Sequence, residues 1–129
     1  MRLFLRKQSR LCSEKDISNL FNNGKSVFCY PLKLVFLESN KKSIGPQALF
    51  SVPKKYFKKA NTRNQIRRRI KEAYRINRSE NFMTADLLLA FIYVSKEELD
   101  YISIESAVKE LFSKIDDAII KKETKDVGG

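Results

Sequence analysis

Apolar residues recur along this chain with two different periods, and the switches between them divide it into elements. Ser13-Glu14-Lys15-Asp16 resembles a capping box, with Asp at the fourth position. Ile17, Leu20 and Phe21 follow at i, i+3 and i+4, and Gly24 supplies a stop, so the spacing predicts a short amphipathic helix. Val27 to Glu38 is then extended, and Pro31 breaks it. The pattern predicts a short strand (Val27 to Tyr30) and a second (Leu32 to Glu38), or one bent edge strand. Leu32, Leu34 and Phe36 share one face, while Lys33, Val35 and Leu37 share the other, so both faces are partly covered.

Ser39 to Pro46 is a polar turn, and Gln47 to Val52 is a third extended piece ended by Pro53. From about Thr62 there is neither Pro nor Gly until after Arg78. At helical spacing Ile66, Ile70, Ala73, Tyr74 and Asn77 fall on one side. Ser79 to Thr84 connects this helix to Leu87–Val94, an apolar run that fits a buried central strand. After a polar link from Lys96 to Asp100, Ser103 or Ser106 caps a last helix. Its buried stripe is Ile104, Val108, Leu111, Phe112, Ile115 and Ile119. Lys121 to Gly129 is polar and expected to be a disordered tail. The order is α-β-β-β-α-β-α: a single α+β sandwich over residues 1–120, with helices packed on a small mixed sheet.

Charge adds a localised feature. Residues 54–78 hold eleven Lys or Arg and one acid, Glu72, a balance of +10 in a chain of +11. Residues 79–129 are net acidic. On the helix, Arg67, Lys71, Arg78, Asn64, Arg75 and Arg68 form one arc with Arg63 at its edge. Like charges at i,i+4 repel by a few tenths of a kcal/mol each, and a polyanion removes that repulsion by displacing counterions. Arg in such number suits bidentate phosphate contact better than it suits a merely solvated face. Residues 1–10 add Arg2, Arg6, Lys7 and Arg10 without an acid, an arm that is either loosely docked or a further phosphate contact.

The composition excludes several chemistries. With no histidine, imidazole acid–base catalysis, Ser-His-Asp and Cys-His arrangements and His-ligated zinc are unavailable. Cys12 and Cys29 form no metal or redox motif and fit reduced thiols. No apolar run approaches the roughly 20 residues that span a membrane. The N-terminal Met1-Arg-Leu-Phe-Leu-Arg is too short for the apolar part of a signal peptide, so a cytoplasmic location is expected.

The string Phe50 to Arg75 (FSVPKKYFKKANTRNQIRRRIKEAYR) resembles the signature of the bacterial ribonuclease P protein component. The matching parts are Ser51-Val52-Pro53-Lys54-Lys55, Arg63-Asn64, Ile66-Arg67-Arg68 and Tyr74-Arg75, with Asp16 to Gly24 upstream resembling the family's first helix. The resemblance covers roughly Ser9 to Ile119 and implies a left-handed crossover around the basic helix. It implies an accessory subunit of an endoribonuclease: the protein binds a catalytic RNA and the 5′ leader of precursor tRNA, whose removal leaves the mature tRNA 5′ end. The chemistry then lies in the RNA, with magnesium in the holoenzyme and no cofactor on the protein. By position, catalytic-RNA contact falls to Lys54, Lys55, Arg63, Asn64, Arg67, Arg68, Lys71 and Arg75. The leader cleft falls to Ile17, Phe21, Lys33 and Val35. No catalytic or metal-ligating residue is implied. Gln65 stands where the family usually has Arg, Ile17 where an aromatic is common, and Val35 where Tyr can occur, which weakens base stacking in the cleft.

Other readings share parts of this pattern. A ribosomal-type RNA-binding protein would have the basic patch without the leader cleft. A DNA-binding helix is disfavoured, because only Asn64 and Gln65 suit base edges and no second helix precedes at helix-turn-helix spacing. A carboxylate–metal nuclease needs an acidic pair near the patch, where Glu72 stands alone.

Overall fold

Alternation along the strands gives the sheet two unlike faces. The computed structural model describes residues 14–38, 46–78 and 86–128, with side chains of the last helix as far as Asp117. Its elements are α1 (Glu14–Asn23), β1 (Lys25–Cys29), β2 (Leu32–Glu38), β3 (Gln47–Ser51), α2 (Ala60–Asn77), β4 (Leu87–Tyr93) and α3 (Tyr101–Gly128). This is the order that the periodicity predicts. The strands lie β1-β2-β4-β3. β1 and β2 are an antiparallel hairpin, β2 runs antiparallel to β4, and β3 runs parallel to β4, so the sheet is mixed. A parallel pair needs a long connection, and α2 lies within it.

One face carries the main core. Leu32, Leu34, Phe36, Phe50, Leu89, Phe91 and Tyr93 pack there against Ile66, Ile70, Ala73 and Tyr74 of α2. Ile104, Val108, Leu111, Phe112 and Ile115 of α3 complete it. Phe50 and Phe91 stack at 5.5 Å, and Tyr74 meets both edge-on at 5.4 Å, the offset geometry that ring quadrupoles favour. The opposite face carries a smaller cluster, in which Leu20 of α1 joins Val35, Leu88 and Ala90, with Ile17, Leu37, Leu49 and Ile92 around them. β4 is covered on both sides, which accounts for its unbroken apolar run.

α1 ends at Gly24, whose N–H donates to the Leu20 carbonyl at 2.8 Å. A Cβ here would stand 2.4 Å from the Leu20 oxygen and 3.0 Å from both the Phe36 oxygen and Val35 Cγ1. Glycine is therefore required by the close approach of the helix end to β2.

Several boundaries differ from the sequence reading. The extended stretch is a hairpin, turning at a cis Tyr30–Pro31 bond, with β1 starting at Lys25. α2 begins at Ala60, two residues ahead of Thr62. The cap of α3 is Asp100 and not Ser103 or Ser106: Asp100 Oδ1 accepts the Ser103 N–H at 2.9 Å, and this bond holds the Asp100 carboxyl below its usual range. Asn77 lies at the end of the α2 stripe, but its amide donates to the Ala73 carbonyl (2.7 Å) and to Glu105 (3.2 Å) instead of packing in the core. The backbone of α3 is helical through Lys121–Val127, the stretch expected as a disordered tail. No Pro or Gly interrupts the helix there. The Ser13 cap, the basic arm at 1–10, the turn at 39–45 and the connector at 79–84 lie outside the described residues.

Candidate nucleic-acid interface

The apolar stripe of α2 fixes which side of the helix faces water. Ile66, Ile70, Ala73 and Tyr74 are buried, so Asn64, Gln65, Arg68 and Lys71 are turned outward. Arg67 is half-buried and donates to Asn64 Oδ1 at 2.9 Å, which aligns the two side chains along the helix. Among the described residues no hydrogen bond or ion pair engages Arg68. Lys54 and Lys55 are exposed on the turn after β3, where Tyr56 N–H closes onto the Pro53 carbonyl at 3.2 Å. The Lys55 ammonium lies 5.0 Å from the centre of the Tyr56 ring.

Arg63 does something the arc does not reveal. Its Nη1 donates to the Phe57 carbonyl (2.8 Å) and the Lys58 carbonyl (3.0 Å). The guanidinium thus ties the Lys54–Lys59 loop to the first turn of α2. Arg75 also departs from the expectation, because its Nη2 sits 2.5 Å from Glu72 Oε1 and the side chain is four-fifths covered. Its charge is already answered. Arg69, outside the predicted set, donates to the Leu99 carbonyl at 2.9 Å and pairs with Glu98 at 3.3 Å, so it anchors α2 to the segment before α3. Arg78 covers the Tyr74 ring at 5.1 Å. Burial pushes the Tyr74 hydroxyl up to about 12, against the opposing pull of Arg78. The expected arc is therefore part surface and part scaffold: Asn64, Arg67, Arg68 and Lys71 with Lys54 and Lys55 form the surface, and Arg63 and Arg75 hold it in shape.

The second predicted set lies on the other face of the sheet. Ile17 is half-buried against the α1 cluster, and Phe21 is 47% exposed on the same helix. Lys33 is exposed. Val35 is only 6% exposed, packed in one cluster with Leu20 and approached by the backbone of Gly24, so it floors the face and offers little surface. The register adds residues that the sequence reading did not single out. Phe28 pairs with Lys33, Lys33 with Ile92, and Ile92 with Ser51, so these four share a row across the sheet. The next row is Ser26, Val35, Ala90 and Leu49, where α1 adds Leu20. The signal was the hairpin turn: a two-residue connection at Tyr30–Pro31 forces Cys29 opposite Leu32 and Phe28 opposite Lys33.

Two sets of side chains suited to polyanions and unstacked bases thus lie on one small domain. A protein-family model described as Ribonuclease P matches residues 5–116. The chain belongs to the ribonuclease P protein family. A Porphyromonas gingivalis (ATCC 33277) ribonuclease P protein component is 33% identical over 120 residues, covering 86% of this chain and 85% of that protein. The Clostridioides difficile (strain 630) ribonuclease P protein component is 31% identical over 109 residues, covering 84% and 93%. The solved Staphylococcus aureus RNase P protein superposes with a TM-score of 0.71 at 18% identity, over 83% of this chain and 94% of that one, a likeness of fold. These ribonuclease P relatives account for the α+β sheet and its three helices, and none is a ribosomal protein. Among the described residues, no helix is long and apolar enough to cross a membrane.

Proposed function

We propose that this chain is the protein subunit of a ribonuclease P holoenzyme, an accessory to endonucleolytic removal of the 5′ leader from precursor tRNA. The solvent face of α2 and the Lys54–Lys55 turn bind the catalytic RNA. The α1 side of the sheet holds the single-stranded leader. The observation that carries this reading is the conjunction of a family match over residues 5–116 with a charge of +10 confined to residues 54–78. Such a patch draws two polyanions together and screens their mutual repulsion.

The chemistry is assigned to the RNA. Four carboxylates around α2 and the start of α3 are already engaged: Glu72 by Arg75, Glu98 by Arg69, Asp100 by the Ser103 N–H, and Glu105 by Asn77 and Tyr101. Hydrogen bonds from Asn77 and Tyr101 hold the Glu105 carboxyl below its usual range, the reverse of what a general base requires. On this reading magnesium belongs to the RNA of the holoenzyme, and no step is routed through a metal on this chain. The proposed setting is the cytoplasm, with catalytic RNA and precursor tRNA as partners and no role for DNA or membrane.

The test is precursor-tRNA cleavage by the source organism's ribonuclease P RNA at low magnesium, with the protein, without it, and with protein alone. Stimulation of the RNA with none from protein alone is expected. Cleavage by protein alone would assign the chemistry to this chain, and no effect in any combination would return the ribosomal-type reading.

A further inference from the structure

Phe28 stands on the edge strand β1 with 53% of its surface exposed, on the sheet face that α1 crosses. A large ring left in water forgoes the stabilisation that burial would give it, so its surface is free to cover a ligand. The register places it directly opposite Lys33, with Ile92 next in the same row. Opposed Cβ atoms on antiparallel strands lie about 4.5–5.5 Å apart. A π face, a cation and an apolar neighbour therefore sit within the span of one nucleotide, whose base stacks and whose phosphate needs a counter-charge.

The mounting is rigid. On the far side of β1, Val27 and Cys29 pack on the main core. Lys114 of α3 donates to the Phe28 carbonyl at 2.6 Å, which holds the strand beneath the ring. Little backbone ordering remains to be done when a base arrives, so stacking is offset only by the rotamer freedom of the ring itself. The neighbouring row is closed: Val35 is buried, and Ile17 is half-buried against the same cluster. The row of Phe28 is where apolar surface is left open beside a positive charge.

We infer that Phe28 is a base-stacking platform for the single-stranded leader RNA, with Lys33 neutralising the adjoining phosphate, and that this pair sets leader affinity in this chain. The inference rests on the proposed function and specifies the residue through which that function grips its substrate. Stacking accepts every base, so the platform favours leader length over leader sequence.

The experiment uses the holoenzyme reconstituted from this chain and its RNA. Affinity is measured for precursor tRNA with 2-aminopurine in the leader and for mature tRNA. Phe28→Ala is expected to weaken precursor binding about tenfold, leave mature tRNA unchanged and relieve quenching of the 2-aminopurine. Phe28→Tyr keeps both affinity and quenching. Lys33→Ala lowers the salt dependence of precursor binding by roughly one phosphate contact. A Phe28→Ala holoenzyme that binds both tRNAs as the wild type does, or weakens both equally, would overturn the inference alone. A wild-type holoenzyme with no preference for precursor over mature tRNA would overturn the functional reading and the inference with it. Phe28 is exposed, so an unchanged thermal melt certifies that the variants are folded.

Discussion

Glu72 and Arg75 form an ion pair one helical turn apart, Oε1 to Nη2 at 2.5 Å, on the helix that carries the chain's basic surface. Arg75 therefore faces its own acid, while Arg68 has no such partner among the described residues. The two arginines should behave differently when RNA binds. Arg67→Ala with Arg68→Ala should flatten the salt dependence of catalytic-RNA binding by roughly two phosphate contacts. Arg75→Ala should leave that slope nearly unchanged. Filter binding across a salt series measures both, and equal slopes for all variants would mean that the α2 face is not the RNA surface.

Arg63 should matter through the loop it holds. One nitrogen serves the carbonyls of Phe57 and Lys58, and hydrogen bonds from a charged donor to a carbonyl contribute about 1.5–3 kcal/mol when well shielded, less at a half-exposed site. Arg63→Ala should speed amide exchange across the Lys54–Lys59 loop and weaken RNA by more than one charge would. Arg63→Lys keeps the charge but lacks the planar fork, so it should restore the salt slope without restoring exchange protection. If lysine restores both, Arg63 is a phosphate contact and not a brace.

The α2 stripe and Arg69 show what a linear pattern can and cannot carry. The stripe of Ile66, Ile70, Ala73 and Tyr74 was legible because helical period is a local property, and so was the alternation of Leu34 and Val35 between two faces. The partners of Arg69, at Glu98 and Leu99, are some thirty residues away and depend on how α3 docks, so no local period announces them. The exposure of Phe28 is hidden from the linear pattern for a related reason. Its exposure depends on where the turn at Tyr30–Pro31 sets the register and on how far α1 extends over the sheet. The cap of α3 is not legible locally, because Asp100 precedes the same stripe that Ser103 and Ser106 enter and all three carry an oxygen able to cap. Only the bond from Ser103 N–H to Asp100 decides among them.

Alkaline pH should destabilise the fold through its buried tyrosines. Burial favours the protonated Tyr74 phenol, pushing its pKa from 10.0 to about 12. Between those values the unfolded chain has released a proton that the folded chain retains, so stability falls as pH rises. The contribution is complete below about pH 10 and lost through about pH 12. A shift of this size corresponds to roughly 3 kcal/mol at most, because Arg78 and neighbouring groups relax. Tyr101, also raised to about 12, and Tyr93, raised by burial, act with the same sign. Tyr74→Phe should therefore blunt the alkaline loss without abolishing it, as measured by urea unfolding at successive pH values. A variant as alkali-sensitive as the wild type would place the loss elsewhere.

Leu20 and Phe21 are adjacent on α1 and should separate folding from substrate binding. Leu20 is fully buried with Val35, Leu88 and Ala90, so Leu20→Ala should cost about 2–5 kcal/mol and weaken every interaction of the protein by lowering the folded fraction. Phe21 is 47% exposed and belongs to neither buried cluster. Phe21→Ala should change the thermal midpoint little, yet weaken precursor tRNA several-fold relative to mature tRNA within the holoenzyme. The comparison is internal, since both changes alter the same helix by the same class of substitution. If Phe21→Ala instead lowers the midpoint as Leu20→Ala does and weakens both tRNAs equally, its ring supports α1 and the leader lies entirely on the sheet.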